Sequence, residues 1–202
     1  MITDIDAQLL LGSEQEARLR PLVAAVRADP ATLARHVARA ARVVGRGPGP
    51  YGRRVEDVAR SRLLLAACET VGPEGAADVV AAQYTTGDAD ERRAVLLALP
   101  ALDATAAIGA AAVPVVLDAL RTNDTRLVAA AMGPYAVAHL PADDWRHGVL
   151  KCLFTGVPLA AVADLHARRD GELDRMVRAF AEERRAAGRD VPDDAVRLLA
   201  AP

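Results

Sequence analysis

The sequence predicts an all-α protein built from short antiparallel helical hairpins. Apolar residues recur at steps of three and four along almost the whole chain of 202 residues, which is the spacing of an amphipathic helix. No stretch alternates apolar and polar residues at a period of two, so no strand is expected. Glycine and proline interrupt the helical pattern, and the connections between segments are mostly short, which favours antiparallel neighbours.

The clearest helix start is Asp29, because an aspartate cap followed by Pro30 is typical of a first helical turn. This helix is expected to end at Gly45, and the segment GRGPGPYGRR that follows is predicted to be a loop. Pro100 is expected to end a later helix, since proline cannot donate the backbone hydrogen bond. The remaining helices are predicted at 54–71, 73–83, 89–99, about 104–119, 124–132, 142–154, 158–166, 171–187 and after Pro192.

The chain length favours one domain, because 202 residues suffice for one well-buried core and are few for two. We therefore predict a single α-helical domain over 1–202, with N-terminal helices in 1–50. Between about 88 and 156 the hairpins recur at roughly the period of HEAT repeats. A HEAT-like α-solenoid and an irregular helical bundle are both compatible with this spacing.

Composition excludes several classes of function. The net charge is −2, with 25 basic and 27 acidic residues interleaved, so binding to nucleic acid is not expected. No apolar run is long enough to enter a membrane, and the N-terminus lacks a signal-peptide pattern, so we expect a cytoplasmic protein. The two cysteines form no CxxC motif, and the motifs of zinc proteases, α/β-hydrolases and P-loop NTPases are absent. We therefore expect no cofactor and no metal.

One stretch, WRHGVLKCLFTGVPL at residues 145–159, differs from the rest of the chain. It contains the only tryptophan and the only lysine of a sequence otherwise rich in alanine and arginine. On a helical projection Asp144, His147 and Lys151 form a polar stripe. The opposite face is an apolar core stripe of Trp145, Gly148, Val149, Cys152 and Leu153. A polar stripe bordered by Leu150 and Phe154 indicates a helix that is covered on two sides or lines a cleft.

Lys151 has two interpretations. Its apolar stem could extend past Phe154 so that the amine pairs with a surface carboxylate. Alternatively, Lys151 and His147 face a ligand pocket, where the lysine acts as an anion anchor, a general base or an imine-forming amine. Asn123, the only asparagine, is either a helix cap or a polar anchor, since Asp124 could cap the same helix.

Three further groups are candidates. Tyr135, Trp145 and Phe154 fall within twenty residues and indicate either the densest core layer or a pocket wall. Arg168 is a possible polar anchor. His139, Asp143, Asp144 and His147 have residue types that bind metals, but Pro141 intervenes and the aspartates suit the first turn of a helix, so no metal is predicted there.

The order of several motifs resembles the EboA family. The blocks are ERRAVLLALPALD, RTND, PYAVAHLPADDWRHGVLKCLFTGVPL, ARRDGELDRM and ERRAAGR, and the resemblance runs from about Val55 to the C-terminus. The single tryptophan, lysine and asparagine stand where the family pattern has those residue types. The matching positions are Glu91, Asn123, Pro134, Tyr135, Trp145, Lys151, Phe154, Gly156, Pro158, Leu159, Arg168, Glu172, Leu173, Met176, Glu183, Arg184, Gly188 and Arg189.

The chain resembles a divergent member, because its departures from that pattern remove mostly polar and amide groups. The substituting residues are Gly133, Arg146 and Asp170 for asparagines, His147 for a glutamine, His166 for an aspartate, Glu182 for a histidine and Arg185 for a tryptophan. If polar residues of the family line a site, this member has rebuilt it. The family occurs in gene clusters that make or export secondary metabolites, which implies a link to isoprenoid or other small-molecule metabolism.

Together these observations predict binding or transformation of a small, largely apolar metabolite in a natural-product pathway. The predicted catalytic residues are His147 and Lys151, and the predicted substrate-binding residues are Asn123, Tyr135, Trp145, Phe154 and Arg168. If the protein is an enzyme, a cofactor-independent isomerase, cyclase or lyase such as a dehydratase suits these groups. The alternative is a non-catalytic helical-repeat scaffold for pathway enzymes or metabolite export. A closed cavity near Lys151 favours the first function and a flat groove favours the second.

Overall fold

The computed structural model describes residues 9–49 and 52–200, and in that part of the chain it confirms the all-α prediction, with no strand and one isolated β-bridge. Three short 3-10 segments, Pro30–Thr32, Gly109–Ala112 and Leu159–Ala161, accompany the α-helices. The described helices are α1 (Ser13–Ala28), α2 (Leu33–Val44), α3 (Val55–Val71), α4 (Pro73–Thr86), α5 (Ala89–Ala106), α6 (Val113–Arg121), α7 (Thr125–Ala131), α8 (Pro134–His139), α9 (Ala142–Thr155), α10 (Leu165–Arg168), α11 (Gly171–Ala186) and α12 (Asp193–Ala200).

The predicted cap at Asp29 is confirmed, and of the two residues that could cap the helix after residue 123 the structure uses Asp124. The Asp29 carboxylate accepts a hydrogen bond from the Ala31 amide at 3.1 Å, and α2 ends at Gly45, which has a positive φ of 88°. The carboxylate of Asp124 accepts from the Arg126 amide at 2.9 Å and caps α7. These side chains satisfy amides that the first helical turn leaves without a partner.

The prediction that Pro100 ends a helix is wrong, because α5 continues through it to Ala106. Residues on both sides of the proline, including Leu99 and Leu102, are buried in the core, and tertiary packing of this kind outweighs local helix propensity. In the turn before the proline, the Arg53 guanidinium donates a hydrogen bond to the Leu97 carbonyl at 3.0 Å.

Two other predicted helices are shorter than expected. The segment 104–119 is interrupted by Ala107 in the left-handed conformation, and α6 begins only at Val113. The segment 158–166 contains one 3-10 turn and then α10, with a left-handed Asp164 between them. One helix, α8, lies in a segment for which no helix was predicted, and Pro134 occupies its first turn.

The described residues group into two compact units, one up to Val115 and one from Val116 onward. The prediction of a single domain and of a repeat architecture stays a prediction.

In the first unit α3 is the central helix and packs against α1, α2, α4 and α5. Because α3 is buried on nearly all sides, its charged side chains need partners. Asp57 receives two hydrogen bonds from Arg93, at 2.9 and 3.0 Å.

The second unit is organised around α9. This helix packs against α7 and α11, and α11 packs in turn against α12. The core between them contains Trp145, Val149, Cys152 and Leu153, all of which are buried. The opposite side of α9 is therefore the side that can carry a site.

His36 in α2 has a side chain that is only 8% exposed, and neither of its ring nitrogens has a hydrogen-bond partner among the described residues. Its burial, together with the charges of Arg35 and Arg39, lowers its pKa. The folded protein therefore binds this proton less readily than the unfolded chain does. The stability that the neutral ring contributes is fully present above the unfolded pKa of about 6.5 and declines as the pH falls below that value.

We predict that the free energy of unfolding decreases between about pH 7 and pH 5.5 and that His36→Leu flattens this decrease. Urea denaturation at several pH values in that range measures the slope. Arg39→Gln, which removes one repulsive charge, should flatten it in part. Equal slopes in the wild type and His36→Leu would contradict the assignment.

Candidate functional site

The two predicted faces of α9 are both present in the structure. The apolar stripe of Trp145, Gly148, Val149, Cys152 and Leu153 is buried, as predicted. Asp144, His147 and Lys151, on the other face, line a cleft. The helix therefore contributes one face to the core and the other to a concave surface within the second unit.

We call this concave surface the Lys151 cleft. Its volume is about 300 Å³, at the lower end of the range for small-molecule sites. The apolar part of its lining, Leu117 and Leu120, comes from α6, while the polar part comes from α9 and from Arg121 at the end of α6. The lining residues are Leu117, Leu120, Arg121, Asp144, His147, Gly148 and Lys151.

Lys151 donates a hydrogen bond from Nζ to Oδ1 of Asn123 at 2.9 Å. The only lysine of the chain thus contacts the only asparagine. Asn123 is available for this contact because Asp124 caps α7 instead. The alternative in which Lys151 pairs with a surface carboxylate is not seen in the described part of the chain. Because an amide carries no net charge, the positive charge of Lys151 is not neutralised by its partner.

His147 is exposed and lies one helical turn before Lys151. Its Nδ1 lies 2.8 Å from the backbone carbonyl oxygen of Asp143. A carbonyl oxygen can only accept a hydrogen bond, so Nδ1 must be the protonated nitrogen of the neutral ring. Nε2 is then the nitrogen that can accept a proton or a ligand hydrogen bond.

Gly148 allows the close approach that forms the base of the Lys151 cleft. A Cβ atom at this position would overlap the side chain of Met132 and would lie 3.3 Å from Cδ1 of Leu120. Met132 is completely buried and has little space in which to move. The absence of a side chain at residue 148 therefore sets the distance between α9 and its neighbours.

The predicted aromatic residues do not line this cleft. Tyr135 and Trp145 are buried, and the Tyr135 ring packs against the His139 ring with centroids 4.5 Å apart. Phe154 is on α9, three residues after Lys151, but it is 66% exposed. The structure thus brings together Asn123, His147 and Lys151 of the predicted set, while the roles predicted for the aromatics stay predictions.

Arg168 is used within the fold. Its guanidinium donates to the carbonyls of Ala136 at 2.8 Å, Val137 at 2.9 Å and Leu140, which are the last carbonyls around α8. It also lies over the Trp145 ring, 5.0 Å from the centroid. Burial, with the nearby charge of Arg146, lowers its pKa. These contacts are those of a structural arginine, and its predicted role as a substrate anchor stays a prediction.

Arg146 and Asp170 form an ion pair that the sequence analysis did not identify. Arg146 Nε lies 3.1 Å from both carboxylate oxygens of Asp170, and the pairing holds the pKa of Asp170 at about 2. Asp170 also caps α11 by accepting from the Leu173 amide at 2.9 Å. The opposite charges of Arg146 and Asp170 were the signal that could have revealed the contact.

Several chemistries lack the groups they need in the described residues. Both cysteines are free and buried, and burial raises the pKa of Cys68 and of Cys152 to about 12, so neither is a thiolate near neutral pH. No group of three or more His, Cys, Asp or Glu side chains in residues 9–49 and 52–200 is arranged to hold a metal ion. No described helix combines the length and apolar character needed to cross a membrane.

A second cleft of the second unit lies mostly beyond the stretch 145–159 that the sequence analysis singled out, and shares only Leu159 with it. It has a volume of about 620 Å³ and is formed by residues 159–167 together with α12. We call it the Asp164 cleft. No motif in the sequence indicated it, because its residues are separated along the chain and are of common types.

The chain matches the model of a known protein family over most of its length. A model described as "Metabolite traffic protein EboA" matches residues 24–200. The match begins at residue 24, whereas the predicted resemblance began at about Val55. No curated protein and no solved structure gave a significant match.

We predict that Gly148→Ala destabilises the protein by about 1 to 3 kcal/mol, because the added methyl overpacks the buried Met132. The loss should occur even though alanine is the better helix former. Gly171→Ala is the matched control, since a Cβ at that position meets no atom within 4 Å. Chemical denaturation measures both changes, and equal effects of the two substitutions would contradict the close-approach argument.

We also predict that Arg168→Lys destabilises the protein by about 2 kcal/mol, because an ammonium cannot reproduce the planar set of donors to three carbonyls. Arg175→Lys is the control, since Arg175 makes only an exposed pair with Glu172. Thermal and urea unfolding compare the two variants. A stability loss that is no larger for residue 168 than for residue 175 would contradict this account.

Proposed function

Since its family model covers residues 24–200, the chain belongs to the EboA family of metabolite traffic proteins, and we propose that it binds a small amphipathic metabolite in the Lys151 cleft. The ligand has an anionic or carbonyl oxygen head, which receives hydrogen bonds from Lys151, and an apolar body. The observation that carries this proposal is the Lys151–Asn123 hydrogen bond of 2.9 Å.

The polar side of the cleft suits an oxygen-rich head group. An ammonium has three N–H donors, and Lys151 uses one of them on Asn123. The amide orients the lysine and leaves its charge in place, as an anion site requires. Arg121 adds a second positive charge to the lining, and Asp144 is the one carboxylate in it. The lining therefore has an excess of positive charge.

The other side of the cleft suits an apolar body. Leu117 and Leu120 project from α6 and are half-buried, so each retains surface that a ligand can cover. A volume of about 300 Å³ admits a short acyl chain or a single isoprenoid unit rather than a large polycyclic molecule. Covering this surface supplies binding free energy in proportion to the apolar area that is buried.

A catalytic role for the same cleft rests on His147. With Nδ1 committed to the Asp143 carbonyl, Nε2 is the atom that can take a proton from a ligand held by Lys151. This arrangement supports the proposal of a cofactor-independent isomerase, cyclase or lyase. Binding at Lys151 is the premise of that activity and is tested first.

The scaffold alternative is supported by a different observation. Phe154 is 66% exposed on the side of α9 that carries Lys151, and large exposed aromatic side chains are enriched at protein interfaces. A scaffold for pathway enzymes would use this surface and would need Lys151 only for its bond to Asn123. Metabolite binding therefore requires the positive charge of Lys151, whereas the scaffold function does not.

We predict that the wild-type protein binds octanoate in a saturable manner, seen as shifts of α6 and α9 amide signals in two-dimensional NMR. Lys151→Gln should weaken this binding about tenfold. Asn123→Asp should weaken it similarly while retaining a partner for Lys151, because the new carboxylate neutralises the lysine. Arg185→Gln, which removes an exposed positive charge outside the cleft, should bind like the wild type.

Two results would contradict the proposal. One is the absence of saturable shifts around the Lys151 cleft. The other is an unchanged affinity in Asn123→Asp, which would mean that the lysine charge is not used and would favour the scaffold.

A further inference from the structure

The Asp164 cleft is larger than the Lys151 cleft, and the two clefts share no lining residue. Its volume of about 620 Å³ is in the middle of the range for small-molecule sites. It adjoins a second hollow of about 470 Å³, with which it shares Ala160, Asp194 and Arg197. A ligand larger than the one proposed for the Lys151 cleft would therefore fit here.

The cleft has a firm apolar base. Leu159, Val162, Leu165 and Leu198 line it and are largely buried in the core. The 3-10 turn that carries Leu159 is hydrogen-bonded to α12, since the Leu159 amide donates to the Asp194 carboxylate at 2.8 Å. The two walls are thus connected by a specific hydrogen bond, and the concave shape is part of the fold.

The polar groups that line the cleft are two carboxylates, those of Asp164 and Asp194, together with His166 and Arg197. Arg197 is its one arginine and lies 3.6 Å from Asp193 and 3.8 Å from Asp194, so its charge is already balanced. Asp164 also lines the cleft, and its carboxylate has no hydrogen bond or ion pair in the described part of the chain. One negative charge therefore faces no positive partner within the protein.

The backbone at Asp164 indicates that its side chain is not used for capping. It stands directly before α10, where a cap residue normally has extended backbone and an aspartate accepts from the helix amides. Instead it has φ 47° and ψ 32°, in the left-handed region, and makes no capping bond. Ala107, the other described non-glycine residue with positive φ, stands after a helix, where this conformation is common.

We propose that the Asp164 cleft binds a small apolar amine. The ammonium group of the ligand donates hydrogen bonds to the Asp164 carboxylate and lies near Asp194, and the apolar body rests on Leu159, Val162, Leu165 and Leu198. Charge-assisted hydrogen bonds of this kind are stronger than neutral ones and select for a cation. The preference is opposite to that of the Lys151 cleft, and neither proposal depends on the other.

The test uses octylammonium as the probe, followed by two-dimensional NMR on the full chain. The wild type should show saturable shifts for residues 159–167 and α12. Asp164→Asn should weaken binding about tenfold, and the fold should be retained because asparagine and glycine both accept positive φ readily. Asp164→Gly should have the same effect on binding, and its melting temperature should be equal to or higher than that of the wild type.

The matched control is Glu182→Gln, which removes an exposed carboxylate that does not line the cleft and should bind like the wild type. The proposal is overturned if octylammonium gives no saturable shifts in the cleft, or if Asp164→Asn and Asp164→Gly bind it as tightly as the wild type. It is also overturned if 1-octanol binds equally well, because the cleft would then recognise an apolar chain without its charge. Lys151→Gln should leave octylammonium binding unchanged, so this result is read independently of the octanoate experiment.

Discussion

The hydrogen bonds from the Arg168 guanidinium to the carbonyls of Ala136, Val137 and Leu140 are the interaction on which the second unit depends most. A helix as short as α8 leaves most of its carbonyls without an intrahelical partner, and burying them without donors would be costly. One arginine supplies those donors and covers the face of Trp145 at the start of α9. The position of α9, and with it of His147 and Lys151, follows from this contact.

The charges next to Arg168 are arranged consistently with that role. Arg146 would repel Arg168 if it were unpaired, but it is bound to Asp170, which in turn caps α11. A single carboxylate thus neutralises one arginine and fixes the start of the helix that packs on α9. In the first unit an arginine also neutralises a carboxylate of a neighbouring helix, because Arg93 pairs with the buried Asp57 of the central helix α3. In both units arginine, with its planar set of donors, connects neighbouring helices through their polar groups.

The sequence was sufficient to predict the helical class, the cap at Asp29 and the two faces of α9, because these depend on local spacing and on side chains near their own backbone. It was also sufficient to single out Lys151 and Asn123, since each occurs once in the chain. It failed where tertiary packing overrides local preference. Pro100 lies inside a helix because its neighbours are buried. The carbonyls near the C-terminal end of α8 accept hydrogen bonds from Arg168, about thirty residues later in the chain, and local sequence does not reveal such a contact.

The predicted site was incomplete for a related reason. Residue type indicated that Tyr135, Trp145 and Phe154 were important, but whether a side chain faces the core, a cleft or solvent depends on neighbouring helices that the sequence does not specify. The Asp164 cleft was missed because its signal is a backbone conformation.

The two clefts are produced by opposite backbone features, and this difference affects how each can change. The Lys151 cleft depends on Gly148, where the absence of a side chain lets α9 lie against Met132 and Leu120. Its shape is therefore linked to core packing, and substitutions there are costly. The Asp164 cleft contains a left-handed residue in a connection between short helical segments, and because this residue is exposed its side chain can change without altering the core. The charge at the Asp164 cleft can accordingly be altered at a lower cost in stability than the shape of the Lys151 cleft.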